Sequence, residues 1–339
     1  MHLLRHKNLL NIVAIVLCYV VLWGLNVHRL LSDYILFVIM CGLINAIMTV
    51  SLNLVTGFTG QFSIGHAAFM AVGAYTSAVM TKLVFHIGLS TPSPLREVFF
   101  LVSLLVGSLA SAVVAYLIGI PTLRLKGDYL CIATLGFNQI LVVLLNNLHV
   151  LGGPRGFIDI PKLSNLAWIM GFTVVSVAVI SNYAHSIFGS QSMAVREDEL
   201  AAESLGIDST KYKINAFVLA SFFAGAAGGL LAHLLQLAHP TQFTFLKSIE
   251  ILLMLVVGGM GSVHGSILAA LVLTMLPEVL RFSQDLRLVI YPLLLILFAV
   301  RNPLPYLRQQ VAEVWEVKVK PVIVGHATIL KRFFSGMLK

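Results

Sequence analysis

Long uncharged stretches alternate with short polar ones along the chain, and their length sets the fold class. A helix rises about 1.5 Å per residue, so about 20 mainly apolar residues cross the roughly 30 Å of bilayer hydrocarbon. Residues 8–27 meet that length without a charged side chain. The run is longer than a signal-peptide core and no small-residue cleavage site follows it, so it reads as a retained first helix. Residues 34–81 contain no Asp, Glu, Lys or Arg and hold two spans. Gly57, Gly60 and Gly65, with the polar Gln61, Ser63 and His66, mark the break between them. Further spans read at 98–120, 129–151, 166–189, 214–237 and 249–276, the last interrupted at Gly258-Gly259-Met260-Gly261, and a shorter run at 288–300 contains Pro292. The pattern predicts an all-α polytopic membrane protein with eight or nine transmembrane segments, some of them broken or re-entrant.

Charge supplies the orientation, because short loops rich in Lys and Arg stay on the cytoplasmic side. Arg5 and Lys7 place the N-terminus inside, Arg124 and Lys126 fall inside four spans later, and two more spans bring residues 191–213 inside. The tail carries Arg301, Arg308, Lys318, Lys320, Lys331, Arg332 and Lys339 against Glu313 and Glu316 and is expected on the same side. The transmembrane domain thus covers 1–305, and 306–339 form a basic cytoplasmic tail. Its last residues, 326–339, read either as an amphipathic helix on the inner leaflet or as an unstructured segment. Parity requires an even number of crossings after residue 213, against three candidates. Either the run broken at 258–261 or the short one at Pro292 is therefore expected to be re-entrant.

Composition narrows the function. Of 339 residues, 58% are hydrophobic and 11% charged, where a soluble domain carries about 25% charged residues. This excludes an ordinary soluble enzyme. The net charge of +8 is spread over span ends instead of forming one basic face, which argues against a nucleic-acid partner. Cys18, Cys41 and Cys131 are odd in number and lie in apolar runs, so free thiols are expected. The histidines are scattered, no nucleophile–base grouping stands out, and Asp128, Glu250 and Glu278 sit near span ends. Neither a metal site, a catalytic residue nor an intramembrane proton relay is expected. There is no Gly-x-x-x-x-Gly-Lys phosphate loop, so ATP is not expected to bind this chain.

The longest polar loop, 191–213, has internal design. Residues 197–204 are good helix formers with acidic side chains crowding the first turn, Gly206 suits a C-cap, and Asp208 or Ser209 suits the N-cap of the next helix. Ala201 and Ala202 leave a shallow spot on the surface. A charged helix-turn-helix held between two spans reads as a docking knob for another protein; the alternative is a solvated loop.

This loop resembles the coupling motif of ABC-importer permeases, Glu-Ala-Ala followed by three residues and Gly, here Ala201-Ala202-x-x-x-Gly206 followed by Ile207. Leu200 occupies the usual place of the glutamate, and Glu199 lies one residue earlier. That variant is similar to the LivM-type permease subunit of the branched-chain amino acid ABC importer family. Leu52-Asn-Leu-Val-Thr-Gly-Phe-Thr-Gly-Gln-Phe-Ser-Ile-Gly-His-Ala-Ala-Phe69, Pro121-Thr-Leu-Arg-Leu-Lys-Gly-Asp-Tyr-Leu130, Gly152-Gly-Pro-Arg-Gly156 and Gly258-Gly-Met-Gly-Ser262 follow the blocks of that family in order, over residues 35–305.

The resemblance implies import of leucine, isoleucine and valine into the cytoplasm of a bacterium across its inner membrane. A second homologous permease, two cytoplasmic ATPase subunits that bind ATP and Mg, and an extracytoplasmic substrate-binding protein would complete the system. A urea or short-chain amide importer is the alternative within the family, and an ion-coupled secondary transporter the alternative outside it. Glu199, Ala201, Ala202, Glu203, Gly206 and Ile207 are the expected ATPase contacts. Gly57, Gly60, Gln61, Ser63, Gly65 and His66, with Gly258, Gly259 and Gly261, read either as helix breaks at membrane depth lining the pathway or as small residues for close helix packing. Their corresponding places in the two halves suggest an internal repeat.

Overall fold

Ser32 opens the first helix of the computed structural model, which describes residues 32–86, 92–125, 127–279 and 293. The run at 8–27, nearly all of 288–300, the tail, Lys126 and Cys18 lie outside these residues, and so do the expectations that rest on them. By its internal contacts the chain divides into Met1–Arg287 and Leu288–Lys339; every element below belongs to the first unit.

The Ser32 side chain accepts the Ile35 N–H and so caps α1 (Asp33–Asn53). Because α1 is apolar on all sides it belongs inside a bundle, and from Ile39 onward nearly every residue is buried. One wider turn, Leu54–Phe58, prolongs it, so that Asp33–Phe58 runs for 26 residues. After a turn at 59–65 come α2 (His66–Val79), prolonged by Met80–Val84, then α3 (Ser93–Thr122), α4 (Asp128–Asn147) and α5 (Leu166–Ala184). Two short helices, α6 (Ile187–Glu197) and α7 (Glu199–Ser204), precede the long α8 (Ser209–Leu235), and α9 (Phe245–Gly258) and α10 (Val263–Val279) follow. Among the described residues six helices, α1 to α5 and α8, are long and apolar enough to cross a membrane. The protein is an all-α polytopic membrane protein. Cys41 and Cys131 are free thiols.

At the centre, α2, α3 and α8 meet through small residues. Lipid tails are as apolar as leucine, so helices in a bilayer associate by close packing, which small residues allow. A Cβ on Gly73 would lie 2.1 Å from the Gly225 carbonyl oxygen, and one on Gly228 1.9 Å from that of Met70. By contrast, α4 leaves Tyr129, Ile132, Ile140 and Val143 exposed, as suits a helix at the periphery.

On the other side of the bundle α1 packs antiparallel to α10. Asn45 Nδ2 donates to Thr274 Oγ1 at 2.9 Å, Asn53 Nδ2 to Ser266 Oγ at 3.1 Å, and the Tyr34 hydroxyl to the Glu278 carboxylate. The neighbouring α9 runs parallel to α1: Thr49 Oγ1 lies 3.8 Å from Met254 Sδ, and the Gly261 N–H donates to Asn53 Oδ1 at 2.8 Å. So the 249–276 run is a helical hairpin, where sequence showed one interrupted span. A hairpin returns the chain to the side it came from. Two other runs end early for local reasons. The 129–151 run leaves the α-helix at Leu148, whose ψ of 88° is not helical, and Ser186 ends the 166–189 run by capping α6.

The bundle has two distinct ends. At one, Phe157 and Ala238 exchange backbone hydrogen bonds of 2.8 and 3.0 Å, and Lys82 Nζ donates to the Ile158 carbonyl at 2.7 Å. The other gathers the turn at 59–65, the α3–α4 connection, the hairpin turn at 259–262, and the knob formed by α6 and α7.

Candidate functional site

Asp198 sets the start of the knob's short helix. Its backbone is extended and its carboxylate accepts the Ala201 N–H at 3.0 Å, so it caps α7 and separates it from α6. Glu197 therefore belongs to α6, where sequence placed it in the short helix. Gly206 ends α7 with φ +82°. Its N–H reaches the Glu203 carbonyl at 2.9 Å, and the Ile207 N–H reaches the Ala202 carbonyl at 3.1 Å, the paired bonds of a Schellman turn. Asp208, of the two candidates, caps α8 by accepting the Lys211 N–H at 3.1 Å.

The knob is pinned from beneath. Lys213 Nζ donates to Glu199 Oε1 at 2.6 Å, the Ser209 hydroxyl donates to Glu203, and Ala202 is buried. Glu199 and Ala202 thus face the bundle, Ile207 is half-buried, and Ala201, Glu203 and Gly206 are exposed. Outward, the knob presents Leu200 and Leu205, 72% and 81% exposed. Sequence reasoning noted Leu200 only as standing in the glutamate's usual place and passed over Leu205, although two leucines in an otherwise charged segment were a visible signal.

The glycine segments lie directly above. The segment at 59–65 follows a complete helix and runs from the knob end, where Gly60 lies against Arg196, back into the bundle, where Gly65 packs on Thr134 and His66 bonds Ser51. Gly57 is closely packed: a Cβ there would lie 1.8 Å from Asn53 Oδ1 and 2.5 Å from the Gly261 nitrogen. Gly60 takes φ +70°. Ser63 Oγ accepts the Gly65 N–H at 3.4 Å, and Thr134 Oγ1 accepts the Ile64 N–H at 3.2 Å. In the hairpin turn Gly259 and Gly261 take φ +91° and +84°, and Gly258 packs against Gly265. The two segments thus meet, Gly57 against Gly261.

Four of the nine buried side-chain polar atoms without a partner among the described residues belong to this segment and its flanks. They are the Thr56 hydroxyl, both amide atoms of Gln61 and His66 Nδ1. Such atoms are uncommon in folded proteins and call for a physical reason. His66 is otherwise held: Ser51 Oγ donates to the Met48 carbonyl at 2.8 Å and so accepts from His66 Nε2 at 2.7 Å, which leaves Nδ1 as a bare acceptor. A cavity of about 430 Å³ at this end is lined by Gln61, Phe62, Leu123, Leu130, Arg196 and Lys213, among others.

Arg196, at the end of α6, was also missed. Its Nη1 donates to the Gly57 carbonyl at 2.7 Å, and Glu197 accepts from its Nε at 3.1 Å and from its Nη2. Long-range contacts of this kind leave no periodic trace in a sequence.

Comparison with known proteins agrees with the resemblance seen in sequence. The family described as "Branched-chain amino acid transport system / permease component" matches residues 34–299. The high-affinity branched-chain amino acid transport system permease protein LivM of Salmonella typhimurium is 33% identical over 306 residues, 79% of this chain and 69% of that protein. The Escherichia coli protein of the same name is 32% identical over the same shares. The permease protein LivH of Salmonella typhimurium is 23% identical over 67% of this chain and 79% of its own length. No solved structure shows a significant match.

Proposed function

The chain belongs to the family of permease components of branched-chain amino acid transport systems, and from that premise we propose that it is the membrane-spanning permease subunit of a binding-protein-dependent ABC importer. It admits leucine, isoleucine and valine to the cytoplasm across the bacterial inner membrane. ATP is bound with Mg and hydrolysed on two cytoplasmic ATPase subunits. A second, homologous permease completes the pathway, and an extracytoplasmic binding protein delivers the substrate.

The observation that carries this reading is the knob. A six-residue helix is too short to be stable alone, yet here it is capped at both ends, pinned by an ion pair, and made to hold two leucines out into water. A solvated loop gains nothing from that arrangement, whereas exposed apolar side chains on a rigid element suit a protein partner. Supporting the pathway, the turn at 59–65 keeps unpartnered polar atoms beside a cavity at the same end, where a polar substrate leaving the membrane meets them.

The test is co-reconstitution with the two ATPase subunits, the second permease and the binding protein, followed by uptake of labelled leucine. Uptake that requires ATP and is competed by isoleucine and valine is expected. Competition by urea or short amides in place of valine would overturn the substrate, and uptake by the chain alone on an ion gradient would overturn the ABC mechanism.

A further inference from the structure

Three segments far apart in sequence converge on one guanidinium. Arg196 Nη1 bonds the Gly57 carbonyl at 2.7 Å, at the end of the turn that closes α1. The aliphatic part of the same side chain lies over Gly60, where an added Cβ would come within 2.5 Å of Arg196 Cγ, and a Cβ on Gly261 would lie 3.8 Å from Nη1. On its outer side the guanidinium is engaged by Glu197, whose side chain is 71% exposed. Arg196 therefore touches the first glycine turn, borders the hairpin turn, and sits two residues before the Asp198 cap. A planar guanidinium serves opposed acceptors at once, which a lysine ammonium does not match.

We infer that Arg196 is the positioning residue through which movement of the knob reaches both glycine turns. The inference rests on the reading of the knob as the ATPase contact. When the knob shifts with its partner, α6 carries Arg196 along, and the Gly57 carbonyl is either held or released. The turn has something to gain from release, since the Gln61 amide is buried with neither atom paired and a rearranged turn can pair it. Gly57 and Gly261 are in contact, so the α9–α10 hairpin moves with α1. Coupling of this kind needs a contiguous contact between an effector site and an element with two arrangements.

The experiment measures leucine uptake and ATP hydrolysis together in vesicles holding the full complex, for wild type, Arg196→Ala, Arg196→Lys and Gly60→Ala. Uptake per ATP hydrolysed is expected to fall about ten-fold in Arg196→Ala, within the usual range of coupling effects. Arg196→Lys should recover part of it, and Gly60→Ala, which pushes the side chain away from the other side, should reproduce the loss. An unchanged ratio in Arg196→Ala, or a proportional fall of uptake and hydrolysis, overturns the inference. If Arg196→Ala does not assemble, the ratio in Gly60→Ala decides in the same way. Failure of the wild type to import leucine with ATP would instead overturn the transport reading, a distinct result.

Discussion

Single side chains divide into those whose loss strands a partner and those whose loss does not. Asn53 is fully buried and is the acceptor for the Gly261 N–H. Asn53→Leu leaves that N–H unpaired, so a loss of about 1–3 kcal/mol is expected, read as a lower denaturation midpoint in detergent. Asn45→Leu should cost less, because Thr274 Oγ1 already donates to the Ala270 carbonyl at 2.6 Å and keeps an acceptor of its own. Gly206 differs again. Nothing lies within 4 Å of a Cβ placed on it, so only its φ of +82° resists substitution. Gly206→Val should therefore loosen the knob by about 1–3 kcal/mol and reduce uptake, while Gly206→Asn, which tolerates that region, keeps most of it. Undiminished uptake by Gly206→Val would remove Gly206 from the coupling element. Gly206 was legible in the sequence because a glycine after a helical pattern has one common use. Arg196 was not, because its acceptor is a backbone carbonyl 139 residues away.

At the scale of elements, the spans were legible because a stretch without charge leaves few alternatives to a bilayer helix. Their direction and neighbours were not. The glycines at 258–261 announced an interruption, but only the pairing of Asn53 with Gly261 and Ser266 shows that α10 doubles back. The same reasoning grades glycine substitutions by helix. Gly228→Val in α8 forces a side chain onto the Met70 carbonyl and should abolish assembly of the α2–α3–α8 core, seen as loss of monodisperse protein. Gly171→Ala in α5 meets nothing within 4 Å and should be neutral, or stabilising by up to about 1 kcal/mol. In the knob, Leu200→Asp and Leu205→Asp remove exposed apolar contact without touching the bundle. Each should weaken ATPase association about ten-fold, the effect of losing a moderate interface contact, with the detergent denaturation midpoint unchanged. Equal association in both variants would move the docking surface elsewhere.

Across the whole molecule the informative property is that its two ends differ, one closed by loops exchanging backbone bonds, the other built of turns around a cavity. The sequence reading named most members of the second group but had no means of bringing the glycine turns and the knob together. Periodicity locates residues along a helix, not which helix ends share a level. A cysteine at Phe62, which is 42% exposed there, should react with a water-soluble thiol reagent at a rate that changes with nucleotide in the assembled complex. A constant rate would assign this end to packing. The pairing of α1 also bears on how the chain is made. Its partners Met254, Gly261, Ser266 and Thr274 lie between 205 and 229 residues downstream. At roughly 5–20 residues per second, translation takes on the order of ten to forty seconds to supply them. Until then α1 sits in lipid with the amides of Asn45 and Asn53 unanswered. A nascent chain released before residue 260 should accordingly be a ready substrate for membrane proteases, and the insertion machinery has reason to hold α1 until the hairpin arrives.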